Sequence, residues 1–207
     1  MEQFMSYDPW SKVETRNGIP GDEIISALQK SIRRGLEEEA VTVAYEMYIT
    51  SPEFEEKMWR RLLIISVEDI GFGEVNAPIL INTLNSMRKN FPYKDGDRPM
   101  FFVHAIRYLC QCEKERSSDW LKNIVIAEFE NGRKPDIPDF ALDMHTNRGR
   151  KQGKDSIHFL EEASKVSPEK KDINLQYKKR LIEILTNDKK EAQNLKVPPF
   201  SYNSWQA

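Results

Sequence analysis

Residues 22–72 read DEIISALQKSIRRGLEEEAVTVAYEMYITSPEFEEKMWRRLLIISVEDIGF. Their apolar residues recur every three or four positions, as at Ile24, Ile25, Leu28 and Ile32. This spacing places side chains on one face of a helix. No stretch of the chain alternates apolar and polar residues convincingly over the length of a strand. The sequence therefore predicts an all-α fold, a bundle of several helices.

Capping and breaking residues divide the chain into helices. Ser51, Pro52 and Glu53 combine an N-cap, a first-turn proline and a first-turn acid, and Gly35 suits the left-handed residue that ends a helix. These signals predict helices over residues 22–34, 36–49, 52–69, 76–90, 97–112, 117–132, 140–147, 155–164 and 169–193, and an extended tail over 197–207.

The length of 207 residues suits one domain with a substantial core. We expect an irregular N-terminal arm over residues 1–21 and a helical domain over 22–164. A charged linker near 165–170 then leads into an additional C-terminal helix and tail over 165–207. The aromatic residues fall at helical spacing, and core packing is expected to explain most of them; they are Trp59, Tyr93, Phe101, Phe102, Tyr108, Trp120 and Phe129.

Composition and charge indicate a globular cytoplasmic protein. Hydrophobic residues make up 39% and charged residues 31% of the chain, which is not the balance of a disordered protein. No apolar run reaches the roughly 18 residues of a membrane span, and no basic start precedes an apolar stretch at the N-terminus. Cys110 and Cys112 are expected to stay reduced. We predict no contact with membranes.

The motifs of common enzyme classes are missing. The chain has no phosphate-binding Gly-x-x-x-x-Gly-Lys-Ser/Thr loop, no Gly-x-Ser-x-Gly elbow and no Cys-x-x-Cys pair. Its three histidines lack the spacing of a zinc site. We therefore predict no cofactor, no metal and no catalytic residues.

Two acidic residues stand where a helix disfavours them. Glu68 and Asp69 fall in the last predicted turn of their helix, close to its negative end. Basic residues should compensate, so a salt-bridged network is predicted at the helix ends. Its members would be Lys30, Arg33, Arg60, Arg61, Ser66, Glu68, Asp69 and Gly71. The alternative is acid–base chemistry by the two carboxylates, but neighbours on a helix diverge by about 100°.

Residues 144–154 carry four cations and no acid. Two glycines should keep this backbone mobile and let its amides approach an anion, which suits contact with phosphate. The candidate contacts are His145, Arg148, Arg150, Lys151 and Lys154, with Lys178, Lys179 and Arg180 as further candidates. A solvated loop is the alternative.

Charge is unevenly spread along the chain. Residues 1–75 carry 8 Lys/Arg and 15 Asp/Glu, whereas residues 76–207 carry 23 and 18. An acidic front and a basic back could let copies associate head to tail, or let the back half face a polyanion. An ordinary solvated surface is the alternative.

Two blocks, residues 24–33 and 60–71, resemble the C-terminal helical region of the replication-associated recombination protein A family of AAA+ ATPases, which includes the animal Werner-helicase-interacting protein. The Arg60–Arg61–Leu62 triplet followed by Ser66-x-Glu68–Asp69–Ile70–Gly71 carries most of the resemblance. Ala105-x-x-Tyr108–Leu109 is similar to a later helix of the family. The resemblance covers residues 22–130 well and extends to about 160.

The resemblance implies a helical domain like the collar of sliding-clamp loaders. In the family this region forms homotetramers and sits behind a DNA-dependent ATPase that acts at stalled replication forks. The implied partners are further copies of the chain, a separate ATPase chain, other replication proteins or DNA. The chain departs from the family because it has no ATPase motif, and because residues 113–117 replace an Ala-Pro-Lys-Ser site.

The leading hypothesis from the sequence is a non-catalytic oligomerisation or interaction module related to ATPases of DNA replication, recombination and repair. The second is a nucleic-acid-binding protein that uses the basic 145–154 loop. The third and least favoured is an enzyme that brings Asp143 and His145 together with Glu68 and Asp69 in one pocket.

Overall fold

The structure is a computed structural model that describes residues 9–187. Contacts between residues divide the chain into two compact units, one ending at Arg133 and the other beginning at Lys134. Pro135 and Pro138 follow this division, in a segment without helix. The predicted boundary at residues 165–170 falls inside the second unit.

The first unit is helical, as predicted. Its α-helices are α1 (Gly21–Arg33), α2 (Glu37–Thr50), α3 (Pro52–Ile65), α4 (Ala77–Met87), α5 (Pro99–Gln111) and α6 (Ser117–Glu130). Short 3-10 turns cover Pro9–Lys12, Gly71–Gly73 and Arg88–Asn90. Between residues 9 and 187 there is no strand, only an isolated bridge between Glu14 and Pro20. The all-α multi-helix bundle is therefore confirmed.

The core of the first unit lies among α1 to α5. Helix α1 buries the predicted apolar face, and Leu28 and Ile32 on that face are fully buried. Trp59 and Leu62 of α3 and Phe102 of α5 are also fully buried. Because burying one large apolar side chain stabilises the fold by about 1.5–3 kcal/mol, this cluster dominates the stability of the unit.

The N-terminal arm is only partly irregular. Residues 9–12 form a 3-10 turn, and Trp10 in that turn packs edge-on against Phe54 of α3, with ring centroids 5.0 Å apart. The backbone amide of Gly21 donates to Val13. Residues 9–20 are therefore held against the start of α1 and α3.

Helix α3 begins as predicted and ends differently. The Ser51 hydroxyl accepts from the Phe54 amide at 3.3 Å, which caps the helix. Regular α-helix ends at Ile65, and the chain continues as a wider π turn over Ser66–Ile70. Such turns are rare and frequently lie at functional sites. The prediction of one helix over 52–69 is thus corrected at its last turn.

The second unit consists of short helical segments. They are a 3-10 turn at Asp139–Ala141, α7 (Asn147–Lys151), α8 (Ser156–His158) with a π turn at Phe159–Ala163, and α9 (Gln176–Asn187). The predicted helix at 140–147 is wrong. The Asp143 carbonyl accepts from both the amide and the hydroxyl of Thr146, and Thr146 then caps α7. Local bonds by Asp and Thr compete in this way with a helix.

The last predicted helix begins later than expected. Helix α9 begins at Gln176, seven residues after the predicted start at 169. Asp172 has a left-handed backbone with φ of 58°, which interrupts any helix through that position. The predicted end at 193 and the predicted extended tail over 197–207 lie outside the described residues.

A buried ion cluster joins α3 to the segment between α4 and α5. The Glu55 carboxylate accepts two hydrogen bonds of 2.9 Å from Arg98, and Arg88 Nη1 lies 3.1 Å from the same carboxylate. Glu55 and Arg88 are almost completely buried. The hydrogen bonds that Arg98 donates to Glu55 raise the pKa of Arg98. Arg88 also pairs with Glu56 at 2.5 Å. Sequence reasoning missed this cluster.

Replacing Glu55 with alanine should destabilise the first unit strongly, because it removes the buried carboxylate that Arg88 shares with Arg98. Breaking a buried pair in this way costs about 3–5 kcal/mol. Urea unfolding followed by circular dichroism measures the change. Glu39→Ala on the exposed face of α2 is the matched control, with an expected change below about 1 kcal/mol. Equal effects of the two substitutions would contradict the assigned role of the cluster.

Candidate interaction site

The π turn after α3 holds a buried carboxylate between two arginines. Asp69 is fully buried. Its Oδ1 accepts from Arg33 Nε at 2.5 Å and lies 3.2 Å from Arg116 Nε. Its Oδ2 accepts from the Gln29 amide at 2.9 Å. One anion thereby joins α1, the π turn and the residue before α6, and charge-assisted bonds of this kind are about twice as strong as neutral ones.

Glu68 uses the same partners from a less buried position. Its Oε1 accepts from Gln29 at 2.9 Å and lies 3.4 Å from Arg33 and 3.6 Å from Arg116. The two neighbouring carboxylates therefore reach one cluster of partners despite the divergence expected for an α-helix. Since both are held by cations and an amide, the cluster serves as a structural clamp.

The structure brings together only part of the predicted network. Arg33, Glu68 and Asp69 are in direct contact, and Arg61 Nη1 donates to the Gln29 side-chain oxygen at 3.2 Å. The Ser66 hydroxyl instead donates to the Leu63 carbonyl within its own helix end. Lys30 donates to Ser26 on α1, and Arg60 is exposed on α3; neither contacts the two carboxylates.

Two members of the network were missed. Gln29 lies one helical turn before Arg33 on α1, so the spacing contained a usable signal. Arg116 comes close only through the path of the chain, which no local pattern indicates. Arg116 also pairs with Asp119 at 2.6 Å, inside the first turn of α6.

Two glycines fasten the start of α6 to the π turn. The Glu115 amide donates to the carbonyls of Asp69 at 3.0 Å and Ile70 at 3.2 Å. Gly71 has φ of 52°, and a Cβ on it would overlap the Glu115 carbonyl oxygen. A Cβ on Gly73 would overlap the Glu113 carbonyl oxygen in the same way. Only glycine allows this close approach of the two backbones.

Helix α6 itself is apolar and uncovered. None of its residues is buried, although half of its 14 residues are apolar. Trp120 is 60% exposed and Phe129 is 51% exposed, so these two are exceptions to the expectation that core packing explains most of the aromatics. The exposed apolar residues of α6 are Trp120, Leu121, Ile124, Val125, Ile126 and Phe129. Six exposed apolar side chains on one helix are more than the single scattered residues that are ordinary on a protein surface.

The apolar surface continues from α6 to the glycine turn. Phe72, between the two glycines, is 74% exposed beside a hollow of about 200 Å³, which Val67, Val75 and Ser118 also line. Ser118 precedes Leu121 by three residues on α6, so these residues share a face of the helix. We call the α6 apolar residues together with Phe72, Val67 and Val75 the α6 surface.

The basic segment of the second unit is more ordered than predicted. The Gly149 amide donates to the Thr146 hydroxyl at 3.0 Å, and the Gly153 amide donates to the Arg150 carbonyl at 3.0 Å. A Cβ on Gly149 would overlap the backbone of Asp143. The expectation of a mobile loop with amides offered to an anion is therefore wrong, because both amides already have acceptors.

The five candidate anion contacts have different surroundings. Lys154 Nζ donates to the Asp139 carbonyl at 3.0 Å and lies 2.8 Å from its carboxylate. His145 Nδ1 lies 2.9 Å from Asp143, and hydrogen bonds from His145 lower the pKa of that carboxyl. The remaining three, Arg148, Arg150 and Lys151, are exposed on α7.

The residues of the enzyme hypothesis have structural partners of their own. Asp143 and His145 pair within the second unit, where the His145 ring stands edge-on to Phe159 with centroids 5.1 Å apart. Glu68 and Asp69 are held by arginines of the first unit. Across residues 9–187 no three His, Cys, Asp or Glu side chains are placed to hold a metal ion. None of the helices in that range has the length and apolarity needed to cross a bilayer.

Comparison with known proteins identifies no family for this chain. No family model matches it, and no curated protein matches it significantly.

Replacing Asp69 with asparagine should loosen α6 from the first unit, since Arg33 and Arg116 lose the fully buried one of the two carboxylates that they share. The free energy of unfolding should fall by about 2–3 kcal/mol, the range for charge-assisted hydrogen bonds at a buried group. Hydrogen exchange of the amides of residues 117–130 should accelerate with it. Glu68→Gln, at a partly exposed neighbour, should cost less than about 1 kcal/mol. Unchanged exchange in Asp69→Asn would contradict the clamp.

Proposed function

We propose that the chain is a non-catalytic interaction module that self-associates through the α6 surface. The observation that carries the proposal is the exposure of Trp120, Leu121, Ile124, Val125 and Phe129 on a helix anchored to the folded unit. Large apolar side chains exposed together on a helix commonly mark a site of interaction with another protein.

The exposed aromatic side chains of this surface favour association. Burial of apolar area contributes about 25 cal/mol per Å², and large aromatic side chains contribute most at interfaces. Trp120 and Phe129 are of this kind, one near each end of α6. Phe72 supplies a third exposed aromatic on a turn that two glycines hold in place.

Preorganisation further supports the proposal. The Asp69 clamp and the Glu115 backbone bonds fix the first turn of α6 before any partner arrives. Less ordering entropy is then lost on association than for a free segment.

The biological setting that we propose comes from the resemblance described above. The motif residues Arg61, Glu68, Asp69 and Gly71 lie at or beside the clamp that fixes α6, so the motif and the proposed contact surface are physically linked. We accordingly propose a cytoplasmic module related to ATPases of DNA replication, recombination and repair. Its partners would be further copies of the chain, up to a tetramer, together with a separate ATPase chain or other replication proteins.

Light scattering coupled to size-exclusion chromatography tests the proposal. The natural chain should have the mass of a dimer or larger assembly at micromolar concentration. Ile124→Asp should reduce it to the mass of a single chain, because a carboxylate buried at an interface costs several kcal/mol. Met100→Asp, at an equally exposed apolar position on α5, is the control and should leave the assembly intact.

Circular dichroism should give equal helicity for both variants, since both positions are exposed. A natural chain that stays monomeric at high concentration would overturn the proposal. So would an assembly that Ile124→Asp leaves intact.

A further inference from the structure

Helix α7 of the second unit presents three cations on its outward surface. Successive residues of an α-helix are separated by about 100° around its axis. Gly149 faces inward against Asp143, so Lys151 faces nearly the opposite way, with Arg148 and Arg150 on either side of it. From this geometry we infer that the outward face of α7 binds the phosphate backbone of a nucleic acid.

The segment of residues 139–154, which carries these cations, is held in place at several points. The Thr146 hydroxyl caps α7 through the Gly149 amide. Asp143 anchors the preceding turn, and its carboxylate accepts the His145 amide at 2.9 Å. Lys154 joins the two ends of this segment through its ion pair with Asp139. The backbone that carries the cations is therefore already ordered, which reduces the entropy lost when a ligand binds.

The three side chains retain donors for a ligand. Arg150 uses Nη1 for the Met144 carbonyl at 3.0 Å, which leaves the other guanidinium donors. Arg148 and Lys151 are exposed, and residues 144–154 contain no acidic side chain. The nearby carboxylates of Asp139 and Asp143 are already paired with Lys154 and His145.

A nucleic acid fits this face better than a lipid surface does. Helix α7 has no apolar residue that could insert into a lipid surface, as membrane-binding helices require. The His145 ring packs on Phe159, so it is engaged rather than offered for stacking with a base. Contact would therefore run through phosphates and be independent of sequence.

Three phosphate contacts imply modest affinity with a defined dependence on salt. Each neutralised phosphate of duplex DNA contributes about −0.9 to the slope of log K against log salt concentration, so α7 alone accounts for about −2.7. Removing two of its cations should lower the magnitude of the measured slope by about 1.8.

Fluorescence anisotropy with a labelled 30-base-pair duplex DNA, between 50 and 200 mM salt, tests the inference on the full chain. The double variant Arg148→Ala/Lys151→Ala should bind roughly 10- to 100-fold more weakly at 50 mM salt. The matched control is Lys170→Ala/Lys171→Ala, which removes the same charge from exposed positions of the same unit. The control should change affinity less than about threefold, as expected for cations outside the contact.

Four results would overturn the inference. They are no binding at 50 mM salt, binding that does not depend on salt, equal losses in the two double variants, and selective loss of binding to phosphatidylserine vesicles with DNA binding unchanged. Equal helicity of the variants by circular dichroism confirms that the fold is retained, because both substituted side chains in α7 are exposed.

Discussion

The buried carboxylate of Asp69 is the contact on which the architecture of the first unit depends. It receives Arg33 from α1 and Arg116 from the segment before α6, while Gln29 occupies its other oxygen. An ionised carboxylate without such partners would be very costly to bury. All of these partners reach Asp69 only when α1, the π turn and the start of α6 are correctly placed relative to one another.

The π turn carries both acidic residues of this arrangement. A continued α-helix would direct Glu68 and Asp69 about 100° apart, whereas in the structure both reach Gln29, Arg33 and Arg116. The cluster of Glu55 with Arg88 and Arg98 similarly joins α3 to the segment between α4 and α5. Buried ion groups that join several helices favour one packing over its alternatives.

Helices α1 to α6 could be predicted from the sequence because each combines an apolar period with clear start or stop residues. Ser51 with Pro52 is the strongest example, and its hydroxyl caps α3 as expected. The helix predicted over 140–147 failed because Asp143 and Thr146 form local bonds that a periodicity argument does not weigh.

The candidate site could be predicted only in part. The carboxylates at the end of α3 predict basic partners because a helix dipole disfavours them there, and Arg33 is among the predicted partners. Arg116 could not be named, since it lies 47 positions beyond Asp69 in the sequence. The exposure of Trp120 and Phe129 could not be predicted either. The spacing of apolar residues in a helix is the same whether its own chain covers the helix or leaves it exposed.

The close approach of Gly71 and Gly73 to residues 113–115 has a consequence for how such chains can vary. Most surface connections tolerate added or deleted residues, since lengthening a loop costs little entropy. Here the segment between α5 and α6 touches the backbone at Gly71 and Gly73 with no room for a side chain. A single inserted residue there would rotate α6 relative to the rest of its unit, so natural variation in length should concentrate in other connections.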